Sequence, residues 1–422
     1  MKKFVFVFLS VSILSGCAAV MTQQLSDARR EFANDKFTES AENFSGGADI
    51  QSQNNLQLLI TGLADFTAKN YSQSDAAFEE FNRRNIDTTS GSILREATSL
   101  IGGQLSNDYK PSMMDSLFVS YYQIWDAIGD GRYDDVRVII NQSYARQQEM
   151  SREYAELVEK NKNRITDNDN DALSKITEQN ATWAAYSDIM NPALMYLSGI
   201  WFLNDGDFNN ARTYLNRANG MSPNNPFIKS DLELAEQNTR PANTTWIFIE
   251  SGFAPILREE NVSLPVITNN GIIFTSIAVA EPVFWNGRTI IDGAKHLADV
   301  NAMFMTEFNE YRINDALRAF AAASARVVAQ AVAYNSDSKF AGLIGLGSTI
   351  FSITTNNAEV RSWATLPEQI YVIRQHTPKS RLIELKSGDK IVANINLESG
   401  GNNLVYVRLT GGTPNIHTMK LN

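Results

Sequence analysis

The sequence predicts an α+β protein: an N-terminal α-solenoid of helical hairpins, then a β-rich domain, an antiparallel sheet or sandwich with a helical insert. Three observations predict it. Short turns in the first half are each followed by an aromatic residue and small residues at helical spacing. After a polar stretch at Glu236–Thr245, with Pro241 as a helix stop, the pattern changes to alternating β-rich runs separated by Gly- or Pro-bearing turns. Between these runs lies an Ala- and Met-rich segment with helical character.

The chain opens with Lys2 and Lys3 and an apolar run from Phe4 to Leu14. That run is too short for a permanent membrane helix, which needs about 20 apolar residues, and it reads as a secretory signal over residues 1–16. It ends in Leu14-Ser15-Gly16-Cys17, which resembles the lipobox of bacterial lipoproteins. The resemblance implies cleavage before Cys17 and acylation of its thiol and new amine, with residues 17–21 as a lipidated linker. Each buried CH₂ contributes about 0.8 kcal/mol, and two or more chains make a stable anchor. Cys17 is the sole cysteine of 422 residues, so no intramolecular disulfide competes for it. Ala18 and Ala19 follow it where retained inner-membrane lipoproteins carry acidic residues. The implied address is the outer membrane, on its periplasmic leaflet.

The formal net charge of −10 becomes more negative once Lys2 and Lys3 leave with the signal, and no basic run occurs. Nucleic acid and anionic headgroups are therefore disfavoured as partners. The mature chain is long enough for two or three domains with proper cores.

From Asn191 to Asn225, Gly199, Phe208, Ala211, Leu215, Ala218 and Pro223 fall at the offsets of a tetratricopeptide repeat, a unit of 34 residues in two antiparallel helices. Weaker copies carry Gly62 with Tyr71, Ser74, Phe78 and Phe81, then Phe37 with Ser40 and Phe44, and Tyr133 with Val136, Ile140 and Ser143. One hairpin alone exposes an apolar face, so several must stack, and residues 22–238 read as one helical repeat domain. A helical bundle without repeat geometry is the alternative. Tyr144 to Asn180 is a long polar stretch with a thin apolar stripe, most simply one extended helix. Asp167, Asp169, Asp171 and Glu178 in it resemble the ligand spacing of an EF-hand calcium loop. Ala172 stands where the turn needs glycine, so a capped helix break is the simpler account.

Residues 246–422 form the β-rich domain, with the helical insert at about 294–355. Strands are expected at 246–249, 262–267 and 272–283, then at 369–374, 380–385, 390–396, 404–409 and 415–420, the first group completing the sheet made by the second. Lys386-Ser387-Gly388-Asp389 and Ser399-Gly400-Gly401-Asn402 are hairpin material. Gly342, Gly347 and Thr349 superficially match a phosphate loop, but Ser348 replaces its lysine.

Taken whole, the chain is similar to a poorly characterised family of proteobacterial lipoproteins with N-terminal tetratricopeptide-like repeats and a C-terminal β-rich domain. The likeness rests on the lipobox, the degenerate repeats, Trp246-Ile-Phe-Ile-Glu-Ser-Gly-Phe-Ala-Pro255 and Arg361-Ser-Trp363 through Leu366-Pro367. It covers nearly the full chain and marks a family, not a chemistry. Genes of that group can sit near a lipoprotein activator of penicillin-binding proteins, which implies regulation of peptidoglycan synthesis as one reading.

His296, His376 and His417 are each isolated, and no nucleophile elbow or metal spacing appears. Acids such as Glu250, Glu259 or Glu260 are the candidates for a cell-wall hydrolase. The expectation is nevertheless a non-enzymatic outer-membrane lipoprotein without a cofactor, a scaffold whose repeat groove holds a periplasmic or envelope protein. Regulation of a cell-wall synthase and a structural role in an envelope complex are the alternatives. Residues near Gly62, Trp125 and Tyr196 are the expected groove lining. Replacing Cys17 with Ser is predicted to release the protein from washed membranes into the soluble periplasm, read by fractionation; a variant that stays with membranes contradicts the anchor.

Overall fold

The computed structural model describes residues 20, 22–86, 109, 111–167, 191–268, 271–287, 289–309 and 358–421. Cys17 and the lipobox-like residues before it, Asp169, Asp171 and Glu178 of the calcium-like spacing, and most of the expected insert lie outside the described residues; Asp167 is the last described residue of its helix. Helices fill the N-terminal part and antiparallel-dominated sheets the C-terminal part.

Helix α1 covers 22–33, followed by α2 (Phe37–Ser45), α3 (Asn55–Thr67), α4 (Tyr71–Ile86), α5 (Met113–Gly129) and α6 (Tyr133–Asp167). Then come α7 (Pro192–Asp205), α8 (Phe208–Met221) and α9 (Pro226–Glu236). Their starts are locally encoded. Asn54 and Ser112 each close a capping box on α3 and α5. Asn191 and Asn225 accept backbone N–H groups ahead of a proline at the first helical turn. The repeat offsets correspond to close approaches. A Cβ on Gly62 would lie 2.6 Å from the Phe78 ring, and one on Gly199 would lie 2.7 Å from Leu215, so each glycine lets the second helix of its hairpin pack on the first. The polar stretch continues without a break from the third hairpin's second helix: α6 runs for 35 residues.

The main sheet has the order β4-β5-β1-β8-β9, with β1 (Thr244–Ser251) at its centre. β1 pairs antiparallel with β5 (Gln369–His376) and parallel with β8 (Asn402–Leu409). β4 (Lys295–Asp299) and β9 (Asn415–Leu421) are the edges. The insert thus begins with a strand, and a helix, α10 (300–309), follows it, its first turn held by the Asp299 carboxylate on Ala302 N–H.

Two expectations about the strands change. β2 (Ile256–Thr268) and β3 (Gly271–Val283) form a two-stranded sheet of their own and do not complete the main one. β6 (Leu382–Ser387) and β7 (Lys390–Asn396) make the hairpin expected at Lys386–Asp389, with Gly388 at φ 58°. Ser399–Asn402 instead links β7 to β8, which lie in different sheets.

Strand alternation divides the core. Ile247, Ile249, Val405 and Val407 face the β6–β7 hairpin through Ile383, Leu385 and Ile395. Trp246, Phe248, Leu404 and Tyr406 face the helices and belong to the same buried cluster as Leu59, Phe66, Trp125, Tyr196 and Leu215. The boundary at 238–246 therefore separates helices from strands but does not separate two cores. Among the described residues, no helix is long and apolar enough to cross a membrane.

Candidate functional site

The first helix of each hairpin lines the concave side in a repeat array. Here those helices lie on the sheet. The Phe66 ring sits 4.8 Å from Tyr406, Trp125 sits 5.5 Å from Phe248 and 5.6 Å from Tyr406, and Tyr196 sits 5.8 Å from Phe248. Gly62, Trp125 and Tyr196 are all buried. Trp125 and Tyr196 cannot line a partner groove in this structure, because the chain's own sheet covers them, and Gly62 is closed off by the Phe78 ring of α4. Sequence spacing could not show what covers these residues.

Between the layers lies a polar constellation. Glu250 from β1 and Arg408 from β8 are register partners on adjacent strands, and Arg408 Nη1 donates to Glu250 Oε2 at 3.1 Å. The Tyr122 hydroxyl of α5 donates to the same carboxylate at 3.0 Å and the Tyr406 hydroxyl at 2.8 Å. All four residues are no more than 1% exposed. Burial pushes the Glu250 carboxyl up from its ordinary range, while Arg408 and the two hydroxyls pull it back toward ionisation. Burial first, then the neighbouring carboxylate, drives both tyrosines well above their usual range, so they act as donors.

The stretches Trp246–Pro255 and Arg361–Pro367 meet here. Arg408 Nη2 donates to the Thr365 carbonyl at 2.8 Å, Ala254 N–H donates to the Leu366 carbonyl at 2.8 Å, and Glu368 N–H donates to the Ser251 carbonyl at 3.0 Å. The Trp363 ring packs 6.1 Å from Tyr122. Arg408 also lies 5.3 Å from the Phe253 ring, and Arg29 of α1 lies 5.2 Å from it on its way to Trp285. Burial and the nearby Arg408 charge lower the Arg29 guanidinium to about 10.

Two further buried groups fasten the same interface. Asp231 of α9 accepts from the Tyr196 hydroxyl and Trp246 Nε1, both at 2.7 Å, and from Arg374 Nε at 2.6 Å. Burial raises its carboxyl against the pull of Arg374. His417, isolated in sequence, is only 1% exposed and lies under α3. Its Nδ1 meets the Tyr71 hydroxyl at 3.1 Å and its Nε2 faces Asn415 Oδ1 at 2.7 Å and the Thr67 carbonyl at 3.3 Å. Both Nε2 neighbours are acceptors, so Nε2 carries the proton and Nδ1 accepts from Tyr71. Burial pushes the imidazole down to about 3 and keeps it neutral. His296 and His376 are exposed.

The acids weighed for hydrolysis do not converge. Glu250 is sealed in its network, Glu259 accepts from Ala358 N–H at 2.9 Å, and Glu260 pairs with Arg258 at 2.5 Å. A shallow cleft of about 180 Å³ lies elsewhere, between Tyr133, Arg137, Trp201 and Asp205. No group of three or more metal-ligating side chains occurs among the described residues. No protein-family model matches the chain, and neither a curated protein nor a solved structure matches it.

With no solvent path to Glu250, the network is built for cohesion. Glu250→Leu is predicted to destabilise the chain by about 3–5 kcal/mol, since Arg408 is left buried without a counter-charge. Glu250→Leu with Arg408→Met is predicted to recover most of that loss in urea unfolding. Equal losses in the single and double variants contradict this reading.

Proposed function

We propose that this protein is a lipid-anchored, non-enzymatic structural subunit of an envelope complex, held by Cys17 at the periplasmic face of the outer membrane. Its helical hairpins are degenerate tetratricopeptide-like repeats that serve as a rigid backing for the sheet. One observation carries the reading: the helix faces that would hold a peptide are buried against the chain's own sheet. Partners must then meet the outer surfaces, which is how a subunit is held in an assembly and not how a peptide-binding groove works. The sealed state of Glu250, and the engagement of Glu259 by Ala358 N–H and of Glu260 by Arg258, support a non-catalytic role.

The family resemblance and the lipobox supply the address; the structural role rests on the packing. Cross-linking whole envelopes and purifying the tagged, lipidated chain is expected to recover it in a stoichiometric assembly larger than one copy. A lone monomer contradicts the proposal, as does release of fragments from purified peptidoglycan by the protein alone. Loss of glycan synthesis rate on deletion, with no assembly lost, would favour a regulator of a cell-wall synthase instead.

A further inference from the structure

Met113 and Met114 open α5, and the leading N–H groups of a helix have no acceptor within it. Here two of them are met from outside. The Glu307 carboxylate of α10 takes Met113 N–H on Oε1 at 2.6 Å and Met114 N–H on Oε2 at 3.0 Å. Both oxygens are used, so the carboxylate straddles the helix end and ties α10 to it. Asp115 sits in the same turn and closes the capping box with Ser112. Its Oδ2 accepts from the Tyr109 hydroxyl at 2.7 Å and from Ser112 N–H at 2.8 Å. Both acids are buried, Glu307 at 3% exposure and Asp115 at 1%.

Two carboxylates therefore share one buried helix end, and no cation pairs with either among the described residues. A helix N-terminus offers roughly half a positive charge. With the hydrogen bonds it supplies, that end can match one buried carboxylate but not two. Burial raises the Glu307 carboxyl against the pull of the two N–H groups, and the Asp115 charge raises it further. Burial raises Asp115 as well, against Tyr109 and Ser112.

The charged groups around the pair do not offset it. The Tyr109 hydroxyl is driven well above its usual range, by burial first and then by Asp115, Glu359 and Glu307. Glu359 is paired with Arg361 at 2.5 Å, and Glu259 accepts from Ala358 N–H. At the base of the β2–β3 hairpin, Arg258 pairs with Glu260 and stands opposite Glu281. The rest of α10 is held by apolar contacts that do not titrate. Met303 lies in the main core, and Phe304 and Phe308, stacked at 5.6 Å, pack on Leu257, Ala278, Ala358 and Val360.

We propose that Glu307 and Asp115 form a pH-sensitive clasp between α10 and the first turn of α5. With one proton on the pair, a single negative charge faces the helix end and α10 stays seated. With both carboxylates ionised, their repulsion in a buried site lifts the Glu307 end of α10 from α5. The seated pair binds its protons more tightly than solvated acids do. Seating is therefore strongest in mild acid and weakens as pH rises through about 6 to about 7. The clasp is a property of this packing and holds whether or not the chain is an envelope subunit.

The Met113 and Met114 amides report the clasp, because Glu307 is their acceptor. Hydrogen exchange of the full chain is measured at single-amide resolution, with rates corrected for the intrinsic effect of pH. In the wild type, protection of these two amides is expected to fall about tenfold between about pH 6 and about pH 8, as loss of one proton near pH 7 requires. The α5 amides from Phe118 onward and those of β1 are expected to stay protected. Glu307→Gln, neutral throughout, is expected to abolish the fall. Asp115→Asn leaves one carboxylate at the helix end and is expected to abolish it too; it carries the test if Glu307→Gln does not fold. Equal wild-type protection at both pH values, or a fall that persists in the variants, overturns the clasp. So does a parallel loss of protection in β1, which marks global opening.

Discussion

β1 is buried along its whole length, on both faces, and that burial dictates the architecture around it. A strand of this kind must be covered from two sides. The β6–β7 hairpin covers the face of Ile247 and Ile249, and the helices cover the face of Trp246, Phe248 and Glu250. The helical half also leaves apolar faces that it cannot bury within single hairpins, as α5 and α7 show by being buried nearly throughout. Each half is therefore the other's missing cover. Hydrophobic burial of this kind is the dominant favourable contribution to folding.

The charged groups at this interface add specificity to that burial. Glu250 and Arg408 fix β1 against β8, and the Tyr122 hydroxyl fixes α5 over both. Asp231 ties α9 to Trp246 and Arg374, and His417 ties the edge strand β9 to α3 and α4 through Thr67 and Tyr71. A buried charge without its partner is costly, so these contacts reject packings in which helices and sheet are mutually displaced. At the far side, the Glu307 carboxylate of α10 accepts from Met113 and Met114 N–H at 2.6 and 3.0 Å, at the positive end of the α5 dipole. Burial raises Glu307 to about 7, and it raises Asp115 in the same turn to about 6.

Much of the local structure was legible in the sequence. The strands from 369 onward agree with β5 to β9 within a few residues, because alternation and turn residues are local signals. Gly62 with Phe78 and Gly199 with Leu215 were legible as close helix crossings for the same reason. The docking of helices on the sheet was not, since Tyr122 and Glu250 lie 128 residues apart and nothing local links them. Nor was β4, a short edge strand whose partner β5 lies beyond the insert. The polar core did leave one trace. Glu250 and Arg408 directly follow the two apolar runs Trp246-Ile-Phe-Ile249 and Leu404-Val-Tyr-Val407, a pattern that suits a buried pair better than two surface residues.

Helices and sheet are expected to open as one unit around a shared core. Native-state hydrogen exchange on the folded chain, comparing amides of α5 with those of β1, tests this. One common opening free energy is expected for both, lost together in denaturant. Exchange of the α5 amides at a distinctly lower free energy, with β1 still protected, would contradict it.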